Sequence, residues 1–390
     1  MRQIDIAIIG GGLAGSTAAA MLGRAGLSAV LIDPHEVYPP DFRCEKLDGC
    51  QVQLLRKTGL DQAVFAAAAL NKEICVMRSR GVVERRACEQ YGILYDTLVN
   101  TMREQISPGI EFVRAKATAI STSAVRQLVT LSTGETVDAR LIVLSNGLNI
   151  GLRQSLGIAR ETISTCHSIS VGFNIEPAVG SQFDFPALTY FPEHASDRMA
   201  YLTVFPVQSG MRANLFVYRD MHDLWLRQMR NAPKETLVSA MPALQHLLGD
   251  FSVPADVRIR PVDLYRSTGH RQPGVVLLGD AFATSCPAAG TGVNKVLTDV
   301  ERLCNVHIPH WLASQGMGAE KIARFYDDPV KVACDAASLS KAFYLRALST
   351  DSGLSWRVRR WARSFARSGI GAWRRAVAPR PPGRQRLAAS

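Results

Sequence analysis

Residues 6–33 read IAIIGGGLAGSTAAAMLGRAGLSAVLID, and their reading decides the fold. A short apolar strand runs into Gly10, Gly12 and Gly15, spaced G-x-G-x-x-G. An Ala-rich helical stretch follows, and a second apolar strand ends at Asp33. In this βαβ setting the three glycines do different things. Gly10 makes the sharp turn, Gly12 admits a pyrophosphate close to the backbone, and Gly15 lets helix and strand pack. The helix start offers free N–H groups and the positive end of its dipole to phosphate. Asp33 is placed to accept from a ribose hydroxyl. The motif predicts a bound dinucleotide without saying which.

A second signal lies near residue 280. The apolar run GVVLLGD closes on Gly279 and Asp280, and FATSCPAAGTGVN follows after Ala281, with Pro287, Gly290 and Gly292 ahead of a helix. Asp280, at a strand end, can accept from a polyol hydroxyl, and the helix N-terminus faces an electron-rich acceptor. Between the two signals, residues 168–218 are rich in β-type segments (SISVGFNI, ALTYF, MAYLTVFPV, ANLFVYR). A nucleotide unit that opens the chain and is completed some 270 residues later implies a discontinuous domain with a β block inserted in it. The expected division is residues 1–73, 90–166 and 260–345 for the nucleotide domain and 74–89 with 167–259 for the substrate domain. Basic amphipathic helices are expected over 346–378 and a disordered tail over 379–390. In detail, helices are expected over 44–60, 61–70, 91–106, 222–229 and 234–248, and strands over 74–88, 110–120, 126–131 and 139–144, with a hairpin turn at 132–135.

Composition narrows the function classes. The 390 residues are 47% hydrophobic, enough for a sizeable core. No apolar run reaches the roughly 18 residues of a membrane span, and the first strand begins almost at once, so a cytoplasmic protein is expected. Eight cysteines (44, 50, 75, 88, 166, 286, 304 and 334) form no C-x-x-C pair, so reduced thiols and no metal are expected. The net charge of +11 is concentrated in ten arginines between Arg357 and Arg386, with no acid after Asp351. It is a property of the tail and argues against a nucleic-acid partner.

Taken together, G-x-G-x-x-G, an acid at the end of the second strand, Arg43, and G-D…P-x-x-G-x-G-x-N resemble the class A FAD-dependent monooxygenases, the para-hydroxybenzoate hydroxylase-like fold. Geranylgeranyl reductases and flavin halogenases are similar relatives. The resemblance covers about residues 1 to 345. It implies an α/β architecture: a discontinuous Rossmann-like FAD-binding domain, an inserted, mostly antiparallel β-sheet substrate domain and a C-terminal helical segment. It further implies tightly bound, non-covalent FAD, with NAD(P)H as co-substrate. Gly10, Gly12, Leu13, Ala14 and Gly15 would hold the pyrophosphate, and Asp33 the adenosine ribose. Arg43 would lie near phosphate or nicotinamide, and Ala117 would contact adenine. Gly279 and Asp280 would hold the ribityl chain, with Pro287, Gly290, Thr291, Gly292, Val293 and Asn294 along the isoalloxazine ring. Three departures mark a divergent member. Asn146 stands where the family places Asp, with Asn149 where Arg is usual. Tyr95 stands where an Arg often contacts FAD, and Phe282-Ala283 replaces Ala-His.

The resemblance implies O2 activation through a flavin C4a-hydroperoxide and hydroxylation or epoxidation of a lipophilic aromatic or unsaturated small molecule. A reductase of C=C bonds and a non-catalytic flavin protein are the alternatives. No catalytic acid or base is identified; His167, His194, His222 and His270 are candidates, each against an ordinary structural role. Phe173, Phe183, Phe185, Tyr190, Phe191, Tyr201, Phe205, Phe216 and Tyr218 either line a pocket or form sheet core. Lys46 invites comparison with a halogenase lysine but reads as solvated or near phosphate, and the G-W-x-W-x-I-P run of halogenases is absent. Leu354, Val358, Trp361, Phe365 and Ala372 follow helical spacing among arginines. Residues 354–373 therefore suit either peripheral contact with an anionic membrane or packing on the protein body.

Overall fold

The computed structural model describes residues 2–78, 82–192, 194–254 and 256–359. The tail expected to be disordered, and the greater part of the segment expected to form the basic helices, lie outside this range.

Strand β1 (Arg2–Ile9), helix α1 (Leu13–Arg24) and strand β2 (Ala29–Asp33) form the expected unit. β1 pairs parallel with β2 on one side and with the strand Thr136–Leu144 on the other. All five residues of β2 are buried. A near-continuous apolar strand of this kind suits a parallel sheet covered on both faces. Among the described residues the sheet has seven strands. Thr136–Leu144 is shared on its outer edge: its first half pairs antiparallel with Gln127–Leu131, and its second half pairs parallel with Val275–Leu277. The strand leading to Asp280 therefore closes the sheet begun at residue 2.

The second sheet has nine strands and is mostly antiparallel. Its spine is the 19-residue strand Ala159–Pro177, which pairs with Gly210–Val217 on one edge and Arg258–Thr268 on the other. The register breaks between Thr162 and Ser168, where Cys166 takes φ +41°. Alternation assigns the two faces. Ile169, Val171, Phe173, Ile175, Leu202, Val204 and Leu215 pack under three short helices, Leu224–Asn231, Pro233–Ala240 and Pro242–Leu248. Ser170, Gly172, Asn174, Tyr201, Thr203, Phe205, Arg212, Asn214 and Phe216 occupy the opposite face by the same alternation.

Several boundaries differ from the sequence reading. The helix expected over 44–60 starts only at Gly49, because Lys46–Asp48 pairs with the strand Val82–Gly92. Ala69 and Leu70 belong to the strand Ala69–Arg78 rather than to a helix, and Tyr91 lies in a strand, the next helix being Tyr95–Glu104. The helix expected over 234–248 is broken at Pro242, whose ring removes an N–H and begins a new helix. After Pro329–Thr350, the described chain turns and is again helical over 354–359. Among the described residues no helix is long and apolar enough to cross a membrane.

Candidate active site

The glycine loop is built as its spacing requires. Gly10 has φ +100°, and its N–H donates to Ile32 O at 2.9 Å. A Cβ on Gly15 would lie inside the van der Waals shell of Gly10 O and 2.6 Å from Ser145 Oγ, so helix α1 sits directly on the turn. Gly12 is different: a Cβ there would meet only the Tyr38 ring, at 4.0 Å. Its open side is a cavity of about 770 Å³.

The cavity begins between Asp33, Ala115, Ala117 and Asn146. It passes Gly10, Gly12, Leu13, Ala14, Arg43, Gly279 and Asp280, and ends under Tyr201, Thr203, Ser170 and Phe216, against Pro287, Gly290, Gly292 and Val293. Of the sixteen residues proposed from sequence, it brings together all but Gly15, Thr291 and Asn294. Gly15 supports the turn from behind. The Thr291 hydroxyl is 2.6 Å from Ser338 Oγ, pointing to the helix Pro329–Thr350, and Asn294 Nδ2 donates to Cys50 Sγ at 2.9 Å. Their side chains are spent on packing.

Asp33 lines the cavity, but its carboxylate also accepts from Gly11 N–H at 2.7 Å and His35 N–H at 2.9 Å. It therefore shapes the loop as well as facing a ligand. Arg103, which the sequence reading missed, stands 3.3 Å from Asp33 and donates to Gly11 O through Nε at 3.0 Å and Nη2 at 2.6 Å. No short motif announces Arg103; only the packing of its helix on α1 brings it there.

Arg43 joins the two halves of the site. Its Nη1 donates to Asp280 Oδ2 at 2.6 Å and its Nε to Asp41 Oδ2 at 2.7 Å, while Arg260 donates to Asp41 Oδ1 at 2.8 Å. Burial works against the Asp41 charge, but the two guanidiniums outweigh it and hold its pKa below the usual value. Tyr38, buried beside Asp41, is pushed up to about 12. Tyr95 packs its ring under Arg43, 5.8 Å from the guanidinium, and its hydroxyl meets the backbone at Leu13. It thus serves the loop from the position where the family resemblance places an arginine. Arg153 is fully buried and ties Asn149 O and Gly147 O to Ala281 O, linking the two strand-end loops. Asn146 donates to Asn149 O at 3.1 Å, and its Oδ1 is buried without a partner among the described residues.

On the sheet side, Gly172 leaves room for the Phe42 ring, which a Cβ would crowd to 2.5 Å or closer. Arg212 and Glu45 form a buried pair at one end of this face, with Arg212 Nε donating to Glu45 Oε2 at 2.8 Å and Nη1 to the Oδ1 of exposed Asn174 at 3.0 Å. Burial raises the Glu45 pKa against the pull of Arg212. Of the two readings given for Lys46, solvated or near phosphate, the first does not hold, since its side chain is mostly buried. It lines the cavity with Nζ 3.8 Å from Asp48 Oδ2, and burial lowers its pKa. None of His167, His194, His222 and His270 lines the cavity, so the four acid–base candidates drop out. Of the nine aromatic residues considered, only Tyr201 and Phe216 do.

FAD fits these residues. The chain offers a φ-positive glycine turn packed too tightly for any side chain, a helix N-terminus opening on a cavity, an acid at the end of the second strand, and a second glycine-bearing helix start at the far end. The fold and site define an FAD-dependent oxidoreductase. Residues 3–308 match the family described as FAD binding domain, and the chain belongs to it. Its relatives mark it as a divergent member of the class A FAD-dependent monooxygenases. It is 26% identical over 325 residues to 3-demethoxyubiquinol 3-hydroxylase of Escherichia coli (strain K12), covering 78% of this chain and 80% of that protein. It is 24% identical over 353 residues to a tetracenomycin A2 monooxygenase-dioxygenase of Streptomyces glaucescens, covering 77% of this chain and 61% of that one. Among solved structures, the fold is similar to that of a p-nitrophenol 4-monooxygenase from Pseudomonas putida DLL-E4, with a TM-score of 0.72 at 16% identity over 92% of each chain. It is also similar to a halogenase crystallised with FAD, with a TM-score of 0.69 at 16% identity over 89% of this chain and 76% of that one.

Proposed function

We propose that the protein is a monooxygenase that hydroxylates or epoxidises a lipophilic aromatic or unsaturated small molecule, using O2 and taking electrons from NAD(P)H. One observation carries this reading. A single cavity runs from the nucleotide loop to a wall bearing Tyr201 and Phe216, opposite the Pro287–Val293 turn where the resemblance places the flavin ring. FAD bound there supplies two-electron transfer and the activation of O2. The chain's own residues bind, orient and exclude water. The start of the helix Gly292–Arg302 would offer its free N–H groups to negative charge on the bound flavin. Arg43 holds Asp280 in place by an ion pair, and Tyr201, whose hydroxyl donates to Ala288 O at 3.0 Å, fixes the turn against the sheet. No side-chain acid or base is required of the four histidines.

The test is mass spectrometry of reactions with NADH or NADPH and a panel of phenols, naphthols and polyenes, with and without O2. Gain of one oxygen, dependent on O2, is expected. Gain of two hydrogens without O2 would instead establish the C=C reductase reading, which Asn146 keeps in view because it replaces the family's acid. As to partners, the exposed Leu354, Val358 and Phe343, followed by the arginine-rich sequence, support peripheral contact with an anionic bilayer. Co-flotation with phosphatidylglycerol vesicles but not phosphatidylcholine vesicles tests it.

A further inference from the structure

The segment from Arg43 to Gln51 is tied down at both ends. At one end Arg43 Nη1 donates to Asp280 Oδ2 at 2.6 Å. At the other, Gln51 Nε2 donates to Gly290 O at 2.9 Å, and Gln51 Oε1 accepts from Asp48 N–H at 2.9 Å. The residues between therefore run along the cavity from the ribityl position at Asp280 to the ring position at Gly290. Lys46 lies in this stretch and lines the cavity. Its backbone is fixed. The strand Lys46–Asp48 pairs with the end of Val82–Gly92, Cys44 Sγ donates to Lys46 O at 3.2 Å, and a Cβ on Gly92, the register partner of Lys46, would overlap Pro206 O.

Charge singles this lysine out. Arg43, Arg160 and Arg260 also line the cavity, and each donates to a carboxylate at 2.9 Å or less. The Lys46 side chain is only 17% exposed, yet its nearest acid among the described residues, Asp48, stands 3.8 Å from the ammonium, beyond hydrogen-bond reach. A largely buried cation with so distant a partner is costly, and burial lowers its pKa. A negative charge arriving beside it offsets that cost. Uptake of two electrons and one proton by FAD leaves a negative charge on the flavin ring, whereas the oxidised ring is neutral.

We infer that Lys46 is the side chain that stabilises reduced FAD in this protein, adding a cation to the N–H groups at the start of the helix Gly292–Arg302. The requirement is FAD with its ring against Gly290. Lys46 acts this way whether the product gains oxygen or hydrogen, so the assignment and the monooxygenase reading of the same cavity fail separately.

The midpoint potential of the FAD-loaded full chain is measured under nitrogen against reference dyes during reduction by xanthine and xanthine oxidase, and binding of oxidised FAD by fluorescence titration. Lys46→Met is expected to bind oxidised FAD within about threefold of the parent and reduced FAD about tenfold more weakly, which lowers the two-electron potential by about 30 mV. Lys46→Arg keeps the charge and is expected to stay within about threefold for both states. Asp48→Asn removes the acid facing Lys46, while asparagine still caps the helix that begins at Gly49, and the potential is expected to rise. Equal losses for oxidised and reduced FAD in Lys46→Met would show a structural or phosphate-binding lysine and overturn the inference. An unchanged potential in Lys46→Met would overturn it too, including the case in which that variant instead loses affinity for benzoate, a probe for an acidic substrate held by Lys46. If Lys46→Met holds no FAD, an unchanged or lowered potential in Asp48→Asn would overturn it.

Discussion

Replacing Gly12 and Gly15 by alanine, one at a time, separates two reasons for a glycine in the same motif. At Gly12 the backbone has φ −74° and ψ −168°, which alanine adopts without strain, and a Cβ meets only Tyr38 at 4.0 Å. The Gly12→Ala protein without FAD should therefore match the parent to within about 1 kcal/mol. Its cost appears on ligand binding, because the new methyl occupies the side from which a phosphate approaches the loop. Losing one charge-assisted N–H···O bond costs about 1.5–3 kcal/mol, or about 10- to 150-fold in Kd. At FAD equal to 100 times the parent Kd, the parent gains about 2.7 kcal/mol of stability, and the variant about 0.3–1.4 kcal/mol. For a chain of 390 residues, with about 2.1 cal/mol/K of unfolding entropy per residue, each kcal/mol moves Tm by about 1.2 °C. The FAD-induced rise should thus fall from about 3 °C to about 0.4–1.7 °C. Gly15→Ala behaves otherwise: its Cβ would fall on Gly10 O and 2.6 Å from Ser145 Oγ. Overpacking of about 1–3 kcal/mol should lower Tm by about 1–4 °C before any FAD is added. Differential scanning fluorimetry of both variants, with and without FAD, and flavin fluorescence titration measure these quantities. The reasoning is refuted if Gly12→Ala binds FAD like the parent, or destabilises the FAD-free protein as much as Gly15→Ala does.

Other substitutions probe the remaining supports of the site. Lys331 and Asp299, 1% exposed each and 2.8 Å apart, join the helix Pro329–Thr350 to the helix Gly292–Arg302. Lys331→Met should cost about 3–5 kcal/mol by stranding Asp299, and adding Asp299→Leu should restore much of it; equal stability of single and double variants would refute the pairing. Arg43→Met leaves Asp280 and Asp41 without their shared cation, and FAD affinity should fall about 10-fold or more in the same titration. Burial lowers the pKa of His167, reinforced by Arg346 at 3.5 Å and opposed by its contact with Ala342 O. The unfolded chain then takes up this proton first. The stability owed to neutral His167 is present above its ordinary value of 6.5 and is lost as pH falls through that value toward the lower folded pKa. Tm followed from pH 7.5 to 5 should fall less steeply in His167→Gln than in the parent, and parallel curves would count against it.

The nucleotide half of the site was legible because its signals are local. The turn glycines, the helix they start and the acid at the end of the second strand all fall within residues 6–33, and the second half is one strand and one helix start around Asp280. What escaped the sequence depends on distant pairing. Arg103 reaches Gly11 from 92 positions away, and Arg212 meets Glu45 across 167. Ser170 and Thr203 follow strand alternation, but alternation alone cannot say which face the helices cover. The same gap explains the histidines and most of the aromatic residues. Residue type made them candidates, and only the tertiary fold shows which surface lies under the cavity.

The link between Arg43 and Asp280 also sets an order of events during synthesis. The two residues are 237 positions apart, and the strand Val275–Leu277 that leads to Asp280 is the last of its sheet in chain order. At translation rates of about 5–20 residues per second, roughly 10–50 s separate the emergence of the two partners. Once Thr136–Leu144 has emerged, the half of it that will receive Val275–Leu277 has an unpaired edge until that strand is made, and the glycine loop has no opposite wall. Cofactor loading is consequently a late step for this chain, and a nascent protein stalled before residue 280 has half a binding site and an open sheet edge for chaperones to shield.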